Sequence, residues 1–320
     1  MKKVLFMLVA MSIIFVSCKK NDVVGPTPPK SVEFTRSSAT PVENVDVTIS
    51  AVVKNFVNYI VTLEWSKDGN PQENIVMTAG ADNTYTGIIP GQPAGTTVTF
   101  LAKVTDSEGY TSGSGTILWM PDLSMLRLNE INGVISNQRI YVELHNIGTE
   151  PISLAGLEIW QVDVNFVGEY PGQVMWRGAE GQVIEPGGFF IMQSRNQTTV
   201  TSTQIFPGLT SSRALTLTLR YPSVGESMGD IIDEYSRNGN DAAMNELFGT
   251  PGLFGSSMGS VRIPDGTGKW YFFSGYSTGT GSGSASEELG TPNAPNPQSP
   301  EGLIKHPDYT DRILEVPPKP

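Results

Sequence analysis

The sequence predicts an all-β chain built as two tandem antiparallel β-sandwiches. Apolar and polar residues alternate with a period of two through most of the body, the pattern of half-buried strands. Clusters of Gly, Pro, Asn and Asp separate the alternating runs at the spacing of a sandwich. Finally, 320 residues suggest two domains rather than one. A hydrophobic content of 38% with 13 Phe, 10 Tyr and 5 Trp suffices for one or two cores. Gly and Pro make up about 18% of the chain, too little for a low-complexity polymer.

The N-terminus is separate from this pattern. Lys2 and Lys3 precede an apolar run from Val4 to Val16, and Cys18, the only cysteine, follows in "FVSC". The run is too short to cross a bilayer as a helix, so residues 1–17 are expected to be a removable signal peptide. The segment resembles a bacterial lipoprotein signal, whose lipobox is cleaved before the cysteine. That resemblance implies Cys18 as the lipid-attachment residue and the membrane as a partner through its N-terminal lipid. "CKKND" resembles the start of lipoproteins exported to the cell surface in Bacteroidetes-type bacteria, which implies an outer-membrane lipoprotein exposed at the surface. Pro26, Pro28 and Pro29 make residues 18–30 an extended tether.

The first domain is placed at 31–118. Val47, Ile49, Ala51 and Val53 share one strand face, and Tyr59, Val61, Leu63 and Trp65 repeat the pattern up to the turn at Asp68–Asn70. "PGQPAG" then turns the chain into Val98, Phe100, Ala102 and Val104. The stretch "YTGIIPGQPAGTTVTFLAKVTDSEG" resembles an immunoglobulin or fibronectin type III-like module. Trp65, on the apolar face, is expected in the core.

The second domain is placed at 123–296. Ile140, Val142 and Leu144 alternate with Tyr141, Glu143 and His145, so His145 is expected opposite the core face. Leu215, Leu217 and Leu219 share another face. The segments "LRLNEING", "RIYVELHNIGTEPISLAGLEIW", "IEPGGFFIM", "VRIPDGTGKWYFF" and "LGTPNAPN" follow in order. This series resembles a lamin tail domain in its bacterial extracellular form. The matching residues are Asn129 to Ile131, Val142 to Leu144 with Asn146, Leu154 with Gly156, Pro186 to Gly188, and Pro264 to Gly268. The resemblance implies an immunoglobulin-like sandwich with a binding or structural role and no catalytic set. Gln161 to Gly181 and Pro222 to Gly255 read as insertions, where loop-borne function would sit. A Pro-rich tail occupies 297–320.

The candidate binding residues are few. Trp160 and Trp176 flank the first insertion and could stack on sugars, although core packing accounts for each of them as well. Phe248 and Phe254, around the short helix expected at "DAAMNELF", form either a partner-binding patch or a lid. "GSSMG" formally nominates Ser257 as a nucleophile, with Asp265 and His306 in hydrolase order. The strand-to-helix elbow that such a serine requires has no counterpart in an all-β pattern.

Two histidines, His145 and His306, cannot form a His-rich metal site. The acidic groups Asp230, Asp233 and Glu234, and Asp106 with Glu108, lack EF-hand spacing. No metal-ligand set and no cofactor is therefore named, while structural calcium, which needs only carboxylates and carbonyls, stays open. Removal of the signal leaves 19 basic against 32 acidic side chains, a net −13, which argues against nucleic acid.

The expected function is non-catalytic: adhesion, assembly or ligand display on the cell surface, with a surface protein or polysaccharide as partner. The alternative is a glycan-binding accessory protein. A third reading is a serine hydrolase using Ser257.

Overall fold

In the computed structural model the alternating runs form sheet across the described residues, which are 28–135, 138–162, 172–194, 202–205, 215–237, 258–274, 291–300 and 313–315. The signal segment with Cys18, the expected helix with Phe248 and Phe254, Ser257 and His306 lie outside them.

The first sandwich opens with β1 (Ser31–Arg36), β2 (Val47–Lys54) and β3 (Ile60–Lys67). Three short strands follow: β4 (Asn70–Pro71), β5 (Ile75–Val76) and β6 (Thr78–Ala79). It closes with β7 (Thr84–Ile89), β8 (Thr97–Asp106) and β9 (Gly109–Leu118). One sheet has the order β1-β2-β7-β6 and the other β4-β3-β8-β9, with β5 on β3. Every pairing is antiparallel.

The faces predicted from alternation meet between these sheets. Val47, Ile49, Ala51 and Val53 pack against Val61, Leu63, Val98, Ala102 and Val104, all buried. Trp65 reaches the margin of this core, where its indole N–H donates to the Glu73 carbonyl at 3.0 Å. Trp119, fully buried at the end of the sandwich, donates to the Val45 carbonyl at 3.0 Å.

The second sandwich begins with β10 (Leu126–Ile135), β11 (Gln138–Asn146), β12 (Ile152–Ser153) and β13 (Glu158–Val162). Next come β14 (Gln173–Arg177), β15 (Val183–Ile184), β16 (Phe189–Ser194) and β17 (Gln204–Ile205). The last are β18 (Leu215–Arg220), β19 (Ile231–Arg237), β20 (Met258–Ile263), β21 (Lys269–Ser274) and β22 (Ile313–Glu315). A seven-stranded sheet, β17-β16-β11-β10-β20-β21-β22, faces a four-stranded one, β14-β13-β18-β19. Leu128, Ile131, Val142, Leu144 and Met192 from the first pack on Ile159, Met175, Trp176, Leu217, Leu219 and Tyr235 from the second.

Two sequence expectations gain detail here. The stretches read as insertions are in part sheet: 161–181 contributes β14, and 222–255 contributes β19. Both supply core residues, Met175 with Trp176 and Tyr235 respectively. His145, expected opposite the core face as a surface or inter-strand residue, is buried there beside the next strand. Tyr141 through Asn146 are all buried, because β11 is covered on both faces. His145 lies against Phe189, with ring centroids 4.3 Å apart, and desolvation holds its imidazole below the usual histidine range.

Gly266 shows how tightly the closing turn is fitted. Its φ is +62°, and a Cβ there would lie 2.3 Å from the Ile147 side chain. Only glycine combines that backbone angle with that clearance.

Candidate functional site

Polar side chains gather in two places, one inside the second sandwich and one between the sandwiches. Inside, the β10–β11 ladder pairs Glu130 directly with Glu143, and neither is exposed. The register shifts between Leu128 and Glu130, which leaves Asn129 as a bulge residue free to turn its amide toward the carboxylates. The Asn129 amide N–H groups donate to Glu143 Oε1 at 3.1 Å and to Asp265 Oδ1 at 2.9 Å. Its oxygen accepts from the Gly266 backbone N–H at 2.9 Å.

The segment Thr291–Asn296 closes over these groups. Thr291 N–H donates to Glu130 at 3.1 Å, and Asn293 N–H donates to Glu143 Oε2 at 2.8 Å. Asn296 N–H donates to both oxygens of Asp265, at 3.1 and 3.0 Å. Burial first, and the Glu130 charge second, push Glu143 up to about 8. Glu143 therefore keeps its proton at neutral pH, which relieves the repulsion of two facing carboxylates.

Asp265 belongs wholly to this cluster. Its carboxylate is taken by Asn129 and Asn296, so the role of an orienting acid in a triad with Ser257 and His306 gains no support from its surroundings. The acidic residues considered for calcium are drawn apart. Asp233 pairs with Arg262 at 2.8 Å across the sandwich, whereas Asp230 faces the first sandwich. Asp106 and Glu108 both hold Lys30, each at 2.6 Å. Among the described residues no group of three or more metal-ligating side chains converges.

Among the described residues the tryptophans do not line a common groove. Trp176 has no exposed surface and donates to the Ser202 carbonyl at 2.7 Å, so it is a core residue and not a sugar platform. A register shift between Ile159 and Trp160 sets Ile159 in the core and leaves Trp160 half-buried. The Trp160 indole donates to Glu158 at 2.8 Å, and Glu158 is also bound by Arg177 and Ser223. Trp270 packs edge-on against Tyr235, with centroids 4.7 Å apart, and carries the Arg262 guanidinium 4.8 Å above its ring.

Between the sandwiches lies a polar seam, and the short join from Trp119 to Leu123 already implies that the two domains touch. Ser38 donates to Asp230, whose own backbone N–H donates to Thr40 Oγ1 at 2.8 Å. The Arg36 guanidinium donates to the Thr116 carbonyl at 2.7 Å and, across the seam, to Ser227 Oγ. The Tyr221 hydroxyl donates to the Pro121 carbonyl at 2.9 Å and accepts from Leu123 N–H at 3.2 Å. Val42 and Met120 pack on the second core.

Beside this seam opens a cleft of about 610 Å³. Phe34, Thr35 and Arg36 of β1, Phe100 of β8 and Ser114 to Thr116 of β9 form one wall, and the turn Val224–Ser227 forms the other. The contributing residues lie up to 193 positions apart, between Phe34 and Ser227, so no motif announces them.

The chain matches no family model and no curated protein sequence. Among solved structures, a chimeric titin Z1Z2 tandem is similar at 13% identity and a TM-score of 0.24, over 65% of this chain and 95% of that one. An uncharacterized Listeria monocytogenes protein, solved with glucose, magnesium and calcium, is similar at 14% identity and a TM-score of 0.26. It aligns over 75% of this chain and 20% of that one. A β-1,3-glucanase of Paenibacillus barengoltzii is similar at 12% identity and a TM-score of 0.21, over 76% and 58%. Likenesses of this strength carry nothing about activity.

Proposed function

We propose that this chain is a non-catalytic lipoprotein, anchored at the cell surface through lipid on Cys18, that displays two joined β-sandwiches for adhesion or assembly. The outer sandwich is lamin tail-like in this reading. The supporting observation is where the motif residues of that resemblance go. Asn129, Glu130, Glu143 and Asp265 spend their polar groups on one another and on the segment Thr291–Asn296. Residues committed to holding the fold together are not available to act on a substrate.

The seam supports display as well. A tether followed by freely hinged domains would present no fixed surface, whereas hydrogen bonds through Ser38, Thr40 and Asp230 hold one sandwich against the other.

The test is localisation in a Bacteroidetes-type host. Mass spectrometry of the purified protein should find an acylated cysteine as its first residue, and Cys18→Ala should release the protein from the membrane fraction. Protease added to intact cells should digest the wild-type protein. Retention of the Cys18→Ala protein in the membrane, or full protection from protease, would refute surface anchoring by this route.

A further inference from the structure

We propose that the cleft between the sandwiches is a binding site for a neutral oligosaccharide, formed by aromatic rings on one wall and by hydroxyl groups and the Glu226 carboxylate around it. The proposal rests on the surface-display reading and names the ligand class that the display would serve.

The first argument is shape. At about 610 Å³ the cleft falls within the range of about 300–1,000 Å³ common for small-molecule sites. Two glycines of β9 make room for its aromatic wall. A Cβ at Gly113 would lie 2.4 Å from the Phe34 ring, and one at Gly115 would lie 2.7 Å from the Phe100 ring. Any larger residue at either position would displace a ring from the cleft.

The second argument is chemistry. Around the two rings stand the hydroxyls of Thr35, Ser114, Thr116 and Ser227. Sugars present an apolar C–H face and a rim of hydroxyls; the half-buried Phe34 ring, backed by the core residue Phe100, meets the first and the lining hydroxyls meet the second. Arg36 is the only cation among the described lining residues, and its guanidinium is already bound to the Thr116 carbonyl and Ser227 Oγ. No free positive charge remains to take a phosphate, sulfate or uronate, and the chain as a whole carries −11. Glu226 is exposed and takes part in no ion pair or hydrogen bond among the described residues. Its carboxylate can accept two sugar hydroxyls at once.

The third argument is rigidity. Arg36 belongs to both the seam and the cleft, so the bonds that hold the sandwiches together also fix the distance between the cleft walls. A preformed site loses less entropy on binding.

The experiment is calorimetric titration of the full mature protein, purified in detergent, with a panel of neutral gluco-, galacto- and manno-oligosaccharides alongside sulfated and uronate-containing ones. Saturable binding of a neutral member is the expected result. Glu226→Ala should weaken it about tenfold, and Ser114→Trp, at an exposed position, should abolish it by filling the cleft. Both variants should keep the wild-type thermal transition. No binding across the panel, binding of charged glycans only, or binding unchanged in both variants would overturn the proposal. Protease digestion of intact cells reads the display function separately, so a protein that is surface-exposed but blind to every sugar would sink the cleft alone.

Discussion

Glu130 and Glu143 stand directly opposite each other on neighbouring strands, both without exposed surface, under a lid of backbone N–H groups from Thr291 and Asn293. Facing like charges in a dry ladder repel, and the pair is tolerated because one of the two carries a proton.

That proton makes stability fall as pH rises. The folded-state pKa of Glu143 is raised to about 8 from an ordinary 4.5, so between those values the native state binds more protons than the unfolded chain. The contribution is fully present below about pH 4.5, is lost progressively through about pH 8, and is level beyond. At about 1.4 kcal/mol per pH unit the loss is bounded at about 5 kcal/mol. Urea unfolding from pH 5 to 9 should show the decline in the wild type and a clearly shallower slope in Glu143→Gln. Parallel slopes in the two proteins would refute the assignment.

Much of this was legible in the sequence, and the reason differs by element. β2 and β8 were read correctly because each has one buried face and one partly solvated face, which is what alternation encodes. In β11 alternation set His145 opposite the core face but could not show that this face is covered too, because a strand covered on both sides still alternates in residue type, its second face being polar and buried. The motif residues Asn129, Glu130 and Glu143 were visible, but that they meet Asp265 and Asn296 depends on the sheet order β11-β10-β20. Contact between the domains follows from the short join Trp119 to Leu123, but its residues and the cleft were illegible, since nothing in the sequence pairs Ser38 with Asp230, 192 positions away.

The seam predicts cooperative behaviour. Asp230→Ala removes the acceptor of Ser38, and Tyr221→Phe removes the hydroxyl that joins Pro121 and Leu123. Each loss is worth about 1 kcal/mol. The double variant should resolve one calorimetric transition into two and broaden the distance distribution in solution scattering. A single unshifted transition would mean that the sandwiches are coupled elsewhere.

The two tryptophans weighed as sugar platforms should respond very differently to truncation. Trp176→Ala empties a site with no solvent exposure and removes one of the two donors to the Ser202 carbonyl, at a cost of about 3–5 kcal/mol. Trp160→Ala removes a half-buried ring from the outer face and should cost about 1 kcal/mol. Denaturant midpoints check both values. Equal losses would contradict the assignment of Trp176 to the core and Trp160 to the outer face.

Asn129→Asp separates charge from shape in the buried cluster. The replacement has the same outline, but it turns the group that donates to Glu143 and Asp265 into a further acceptor beside Glu130. Asn129→Ala leaves the carboxylates short of donors without adding charge. The aspartate variant should therefore be the less stable of the two above pH 7, because a buried carboxylate among carboxylates must either repel them or take up a proton. Lowering the pH should narrow the gap as the added acid is neutralised. Hydrogen exchange should locate the damage, with faster exchange at Gly266, Asn293 and Asn296, whose N–H groups bind this cluster, and little change in the first sandwich. If alanine proved worse than aspartate at every pH, the amide would be acting through packing and not through its donors.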